Sequence, residues 1–140
     1  MIRPAVIPVL RYADAPAAID FLCRAFGFEK HAIHADPADP GLIVHAELIR
    51  EGNMVMLASA APSPFAEQSR WRTPAEAGGV TQTIYVVLED VDGHASQAAE
   101  AGADIFMAPA DQPYGGRNYC CRDPEGNVWC FGSYDPVAPA

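Results

Sequence analysis

Long hydrophobic runs, clustered basic residues and paired-cysteine motifs are all missing from this 140-residue sequence. No apolar stretch approaches the ~20 residues that a membrane-spanning helix needs, so no such span is expected. The formal net charge is −9, from 18 Asp and Glu against nine Lys and Arg scattered along the chain. A nucleic-acid backbone would be repelled unless those few cations gathered locally, and no nucleic-acid partner is expected. The opening "MIRPAVIPVLRYAD" is too short and too broken by proline for a signal peptide and reads as a strand. The four cysteines (Cys23, Cys120, Cys121 and Cys130) include no C-x-x-C pair. Cys120 and Cys121 are adjacent in an expected strand, so their side chains point to opposite faces and do not bridge. Reduced thiols and a cytoplasmic location are the expectation. What is present is ordinary globular material, 50% hydrophobic and 19% charged, enough for one domain over residues 1–140.

The order of elements can be read from periodicity and caps. "AVIPVLRY" (5–12) is strand-like, Asp14 is a helix N-cap followed by Pro16, and Ile19, Leu22, Cys23 and Phe26 recur at helical spacing up to Gly27. "FEKHAIH", a turn-rich "ADPADPG", "LIVHAELIR" (42–50) and "MVMLAS" (54–59) follow as strands and turns. The second half repeats this order. "TQTIYVVLED" (81–90) is a strand ending at the N-cap Asp90, and "VDGHASQAAEAG" is a helix with Ala95, Ala98, Ala99 and Gly102 on one side. "ADIFMAP", "RNYCCRD" and "VWCFGSY" are strands. Asp14 and Asp90 lie 76 residues apart, and the "EGN" turns at 51–53 and 125–127 lie 74 apart. Two anchors with nearly one offset indicate an internal duplication. The expected fold class is α+β: two β-α-β-β-β modules, about 5–59 and 80–134, forming curled mixed sheets around a concave cavity. A loop at about 60–79, rich in Ala, Ser, Pro and Gly, joins them as a linker or as a functional flap.

With "YADAPAAIDFLCRAFGF", "HAEL", "LEDVDG" and "DQPYGGRNYCCRDPEGNVWCFGSY", the chain resembles the vicinal oxygen chelate superfamily of glyoxalases, extradiol dioxygenases and fosfomycin- and bleomycin-resistance proteins. The resemblance covers roughly residues 5 to 134 and implies paired half-barrel modules and a cavity. In catalytic relatives it also implies one divalent metal, held by His or Glu from the first and last strand of each module. The corresponding positions here are Ile7, Thr83, Met56 and Cys130. Hard and borderline cations need oxygen or imidazole donors, so neither the usual metal site nor any other cofactor is expected.

Strand alternation then says what faces the cavity in place of a metal. Arg11, Thr83, Tyr85, Met54, Met56 and Cys130 share the inward parity, and Leu10, Ile84, Val86, Val55, Leu57, Trp129 and Phe131 fill the opposite, helix-packed face. A mostly apolar lining with a few polar groups suits a ligand. In "HAEL", His45 and Glu47 turn inward, either as a base with its orienting carboxylate or as a structural polar pair. His31 and His34, three apart in a strand, are expected to face opposite ways, and His94 to be solvated. Trp71 could stack on a ligand or plug a gap. Tyr114, Arg117 and Tyr119 complete the candidate ligand-binding set, with Arg117 meeting an anion or an acidic neighbour. Two functions follow. One is metal-independent binding of a small, largely apolar or aromatic molecule, cationic ligands being favoured by the acidic charge, in a homodimer as the resemblance implies. The other is glyoxalase-type lyase, isomerase or transferase chemistry using His45 and Glu47, or a metal bound at an unusual place. An interaction module with a filled interior is the third possibility.

Overall fold

The computed structural model describes residues 1–139. Module one comprises β1 (Val9–Tyr12), α1 (Ala15–Phe26), β2 (Glu29–Asp36), β3 (Asp39–Arg50) and β4 (Asn53–Ser59). Two short helices follow, α2 (Pro64–Ser69) and α3 (Pro74–Ala77). Module two comprises β5 (Ile84–Val87), α4 (Val91–Glu100), β6 (Asp104–Asp111), β7 (Arg117–Arg122) and β8 (Val128–Gly132). Each module makes one mixed four-stranded sheet, in the orders β1-β4-β3-β2 and β5-β8-β7-β6. Among the described residues no helix is long and apolar enough to cross a membrane.

The duplication extends to the register. On the face away from the helices one sheet aligns Ala32, Glu47, Met56 and Val9 in a row across its strands. The other aligns Met107, Cys120, Cys130 and Tyr85 at equivalent places. Even the bulge recurs: pairing slips between Lys30 and Ala32 in β2 and between Ile105 and Met107 in β6. The two "EGN" turns are not identical, however. The first is a two-residue turn between the paired Arg50 and Asn53, with Glu51 and Gly52 both at positive φ (47° and 80°). The second closes from Asp123 to Asn127 around Pro124, Glu125 and Gly126, so module two carries one extra residue there. Glu51 is the residue out of place, since a turn with two left-handed positions favours Asn or Gly before the glycine. Glu51→Asn should raise stability by about 0.5–1 kcal/mol in urea denaturation.

Helix α1 begins where Asp14 accepts a hydrogen bond from Ala17 N at 3.1 Å, and ends at Gly27, whose φ of 83° is left-handed. Its Ile19, Phe21, Leu22 and Phe26 are buried with Trp129 and Phe131 of β8, so one core spans both modules. Three sequence expectations need correction. The first strand is ordered as a ladder only from Val9, because Pro4 and Pro8 have no N–H to donate; Pro8 contributes its carbonyl to Met56 N instead. The joining segment is not a plain loop, since Ser63-Pro64 and Thr73-Pro74 each start a helix, and Thr73 and Glu76 close a reciprocal capping box. His94 is buried rather than solvated. Ala95 and Ala98 are small enough to bring α4 close to α1, and His94 fills the seam while Ala99 points outward.

Two polar devices tie the modules together. His94 Nε2 donates to the Phe26 carbonyl at 3.1 Å, which leaves Nδ1 to accept the Tyr119 hydroxyl at 2.6 Å. Asp123, nearly fully buried, accepts from Tyr12 Oη at 2.6 Å and Trp129 Nε1 at 3.1 Å. Beside it Glu125 accepts the Ala13 and Asp14 N–H groups at 2.6 and 2.9 Å, anchoring the start of α1.

Candidate functional site

Strands β1 and β5 are each at an edge of their sheet, and the α2–α3 segment lies over the gap between them. The gap is a cavity of about 680 Å³, within the range of small-molecule sites. Ile7, Val9 and Leu10 supply one apolar wall, Ile84 and Val128 another, and Trp71 the cover, with Thr81, Gln82 and Thr83 as neutral polar groups. Four residues predicted from inward parity or as a stacking cover meet here: Arg11, Trp71, Thr83 and Tyr85. The Arg11 guanidinium lies over the Trp71 ring, 5.3 Å from its centroid, and donates from Nη2 to the Ala61 carbonyl at 3.3 Å. Arg11 Nε is buried without a hydrogen-bond partner. Tyr85 donates to the Tyr134 carbonyl at 2.8 Å, and its ring crosses Gly132, where a Cβ would come within 2.6 Å of the Tyr85 hydroxyl. Burial pushes the Tyr85 phenol up, so it remains a neutral donor.

The other predicted residues go elsewhere. Met56 and Cys130 lie on the helix-free faces as expected, and Met54 lines an adjoining cavity of about 450 Å³ with Tyr85. Tyr119 does not face a ligand. It pairs with Phe131 on the helix-packed side and is fully buried; its neighbour Cys120 has the inward parity instead. Arg117 meets acidic neighbours, Asp92 at 3.0 Å and Asp111 at 3.4 Å. Tyr114 packs edge-on to Tyr134 and accepts from Asn118 Nδ2 at 3.0 Å, outside the junction cavity.

His45 and Glu47 form the expected pair, with Nε2 2.9 Å from Oε2, and that hydrogen bond holds Glu47 below the usual carboxylate range. They do not reach the junction cavity. They sit on the helix-free face with two histidines that strand parity had separated. The β2 bulge turns His31 toward Glu47, 3.9 Å away, while His34 is paired with His45 and stacks on it with centroids 6.1 Å apart. Among the described residues no group of three or more His, Cys, Asp and Glu has the arrangement to hold a metal ion.

The donor set at the family metal positions does not fit a divalent cation. Ile7 and Thr83 line the junction cavity without a carboxylate or imidazole, and Met56 offers only a thioether. Burial, with the Cys120 hydrogen bond, pushes the Cys130 thiol up, and one thiol beside a thioether does not make up the donor set of a divalent cation.

Duplicated mixed sheets, helices packed on one face and a cavity between edge strands define one class of protein. The chain belongs to the Glyoxalase/Bleomycin resistance protein/Dioxygenase superfamily, whose family model matches residues 5–131. It is 35% identical over 131 residues to an uncharacterized protein of Mycobacterium bovis, covering 94% of this chain and 84% of that one. An uncharacterized protein of Mycobacterium tuberculosis H37Rv is equally similar, with 75% of its length covered. Among solved structures, TioX from Micromonospora sp. ML1 is 32% identical, with a TM-score of 0.68 over 93% of this chain and 98% of that one. The Listeria monocytogenes fosfomycin resistance protein FosX, solved as a mutant complexed with Mn(II), has the same fold at 12% identity and a TM-score of 0.68, covering 97% of this chain and 94% of that one.

Proposed function

We propose that the protein binds a small, largely apolar or aromatic molecule without a metal, in the cavity between β1 and β5. The observation that carries this reading is the cavity lining, apolar walls with Arg11, Trp71, Thr83 and Tyr85 converging on one space. The donor set at the family metal positions supports metal independence. The reading includes a homodimer, because the helix-free faces leave Tyr85, Val87, Phe106 and Met107 40–54% exposed. A second copy that covered these faces would bury them. Sedimentation equilibrium should then give twice the chain mass, and a monomer at micromolar concentration would contradict that part.

Thermal unfolding against a panel of apolar and aromatic compounds tests the binding. A ligand at a hundred times its Kd stabilises the native state by about 2.7 kcal/mol, or roughly 8 °C for a domain of this size. Trp71→Ala should abolish most of that shift, and Mn, Ni or Zn should produce none. A metal that raised the Tm at stoichiometric concentration would contradict metal independence.

The 2.9 Å contact between His45 and Glu47 favours a second reading, acid–base chemistry of the glyoxalase type on the open face of sheet one. Under the binding reading His45→Ala leaves ligand affinity unchanged. Loss of turnover of a small substrate in that variant would favour the enzyme.

A further inference from the structure

We propose that the ligand of the junction cavity is an anion, an apolar or aromatic ring system carrying a carboxylate that pairs with the guanidinium groups of Arg11, Arg70 and Arg72. This rests on reading the cavity as a small-molecule site and names the class of molecule it takes. The overall charge of −9 points the opposite way, toward cations. Three of the nine Lys and Arg nevertheless gather at this one cavity, namely Arg11, Arg70 and Arg72, and no Asp or Glu lines it. The nearby carboxylate of Glu76, held low mainly by the Thr73 backbone N–H and further by the charges of Arg11 and Arg72, caps α3. It offsets part of the charge of those two arginines from outside the cavity lining, which keeps three guanidinium groups and no carboxylate. Local charge outweighs the global balance here, because charges beyond a Debye length of about 8 Å are largely screened.

The Arg11 side chain supplies the direction. Nη2 is bonded to Ala61 and one face is against Trp71, so the guanidinium is fixed in place. Its Nε is buried without a partner, so the protein's own hydrogen bonds satisfy this cation only in part. A carboxylate is the complementary acceptor, since it meets a guanidinium with charge-assisted hydrogen bonds. Gln82 and Thr83 can donate to its second oxygen, and Ile7, Val9 and Trp71 then receive the ring. Arg70 and Arg72, exposed on the α2–α3 connection, add attraction at the rim.

Calorimetric titration of the full chain with 2-naphthoate, 2-naphthamide and 2-naphthylmethylammonium tests this, since the three share a ring system and differ in charge. 2-Naphthoate should bind at least tenfold more tightly than the amide, and the ammonium compound weakest of all. Arg11→Gln should weaken 2-naphthoate at least tenfold and change the amide by less than twofold. Arg70→Gln/Arg72→Gln alters only exposed positions and keeps the test available if Arg11→Gln does not fold; it should weaken 2-naphthoate two- to threefold. Equal or tighter binding of the amide or the ammonium compound would overturn the anion inference and leave the small-molecule reading standing. Failure of all three, with a neutral member of the thermal panel binding, would also overturn the inference alone. If no compound of either set bound, the small-molecule reading would fall with it.

Discussion

Asp123→Ala should destabilise the protein by about 3–5 kcal/mol, the largest single effect expected outside the aromatic core. The Asp123 carboxylate accepts four hydrogen bonds: Tyr12 Oη, Trp129 Nε1, and the backbone N–H groups of Glu125 and Asn127. Tyr12 and Trp129 are both fully buried, so removing the acceptor strands two donors where water does not reach. The loss falls on the contact between modules, because Tyr12 ends β1 and Trp129 lies in β8. Urea denaturation should show a lower midpoint with an unchanged slope. Tyr12→Phe removes a donor and leaves the carboxylate its other three bonds, so it should cost less, about 1–2 kcal/mol. A cost below about 1 kcal/mol for Asp123→Ala would mean that the modules are not held through this carboxylate.

His94→Ala comes next, with an expected cost of about 3 kcal/mol from the cavity and the two stranded partners, the Phe26 carbonyl and the Tyr119 hydroxyl. The same residue sets a pH dependence. Desolvation by burial holds the His94 pKa below its ordinary 6.5, although the Phe26 hydrogen bond opposes the shift. In the unfolded chain the imidazole takes a proton near 6.5, whereas in the folded chain it resists until lower pH. The unfolded state therefore binds more protons in that interval, and stability declines as the pH falls through 6.5 toward the folded value. Above 6.5 the residue is neutral in both states and contributes no slope. Unfolding free energies measured from pH 8 to 5 should decline on the acid side, and the decline should flatten in His94→Ala. An equal slope in both proteins would place the acid sensitivity on other groups.

The fold was legible because its signals are redundant. Asp14 and Asp90 cap equivalent helices, the apolar faces of β4 and β8 alternate cleanly, and the "EGN" turns punctuate both modules. The site was legible where parity alone decides, which placed Arg11, Tyr85, Met56 and Cys130 on the helix-free faces. It failed where a local device breaks the alternation. Nothing in "FEKHAIH" announces the bulge that turns His31 toward Glu47. Tyr119 is core because of the extra residue in module two's turn: the register of module one, carried over, would set Cys121 opposite Cys130 and turn Tyr119 inward, whereas Cys120 is the residue that pairs with Cys130. The Thr73-Pro-Ala-Glu76 capping box, by contrast, is in plain view and marks α3. The gathering of Arg11, Arg70 and Arg72 could not be read, because β1 and the α2–α3 connection meet only in the folded chain.

The central claim is that ligand binding belongs to the gap between β1 and β5 and not to the His45–Glu47 face. A crystal structure of the protein grown with 2-naphthoate tests it most directly. The ring should lie among Ile7, Val9 and Trp71, with the carboxylate paired to the arginines of that cavity, Arg11 first. A ligand bound instead against His45 and Glu47, with the junction cavity unchanged, would contradict it.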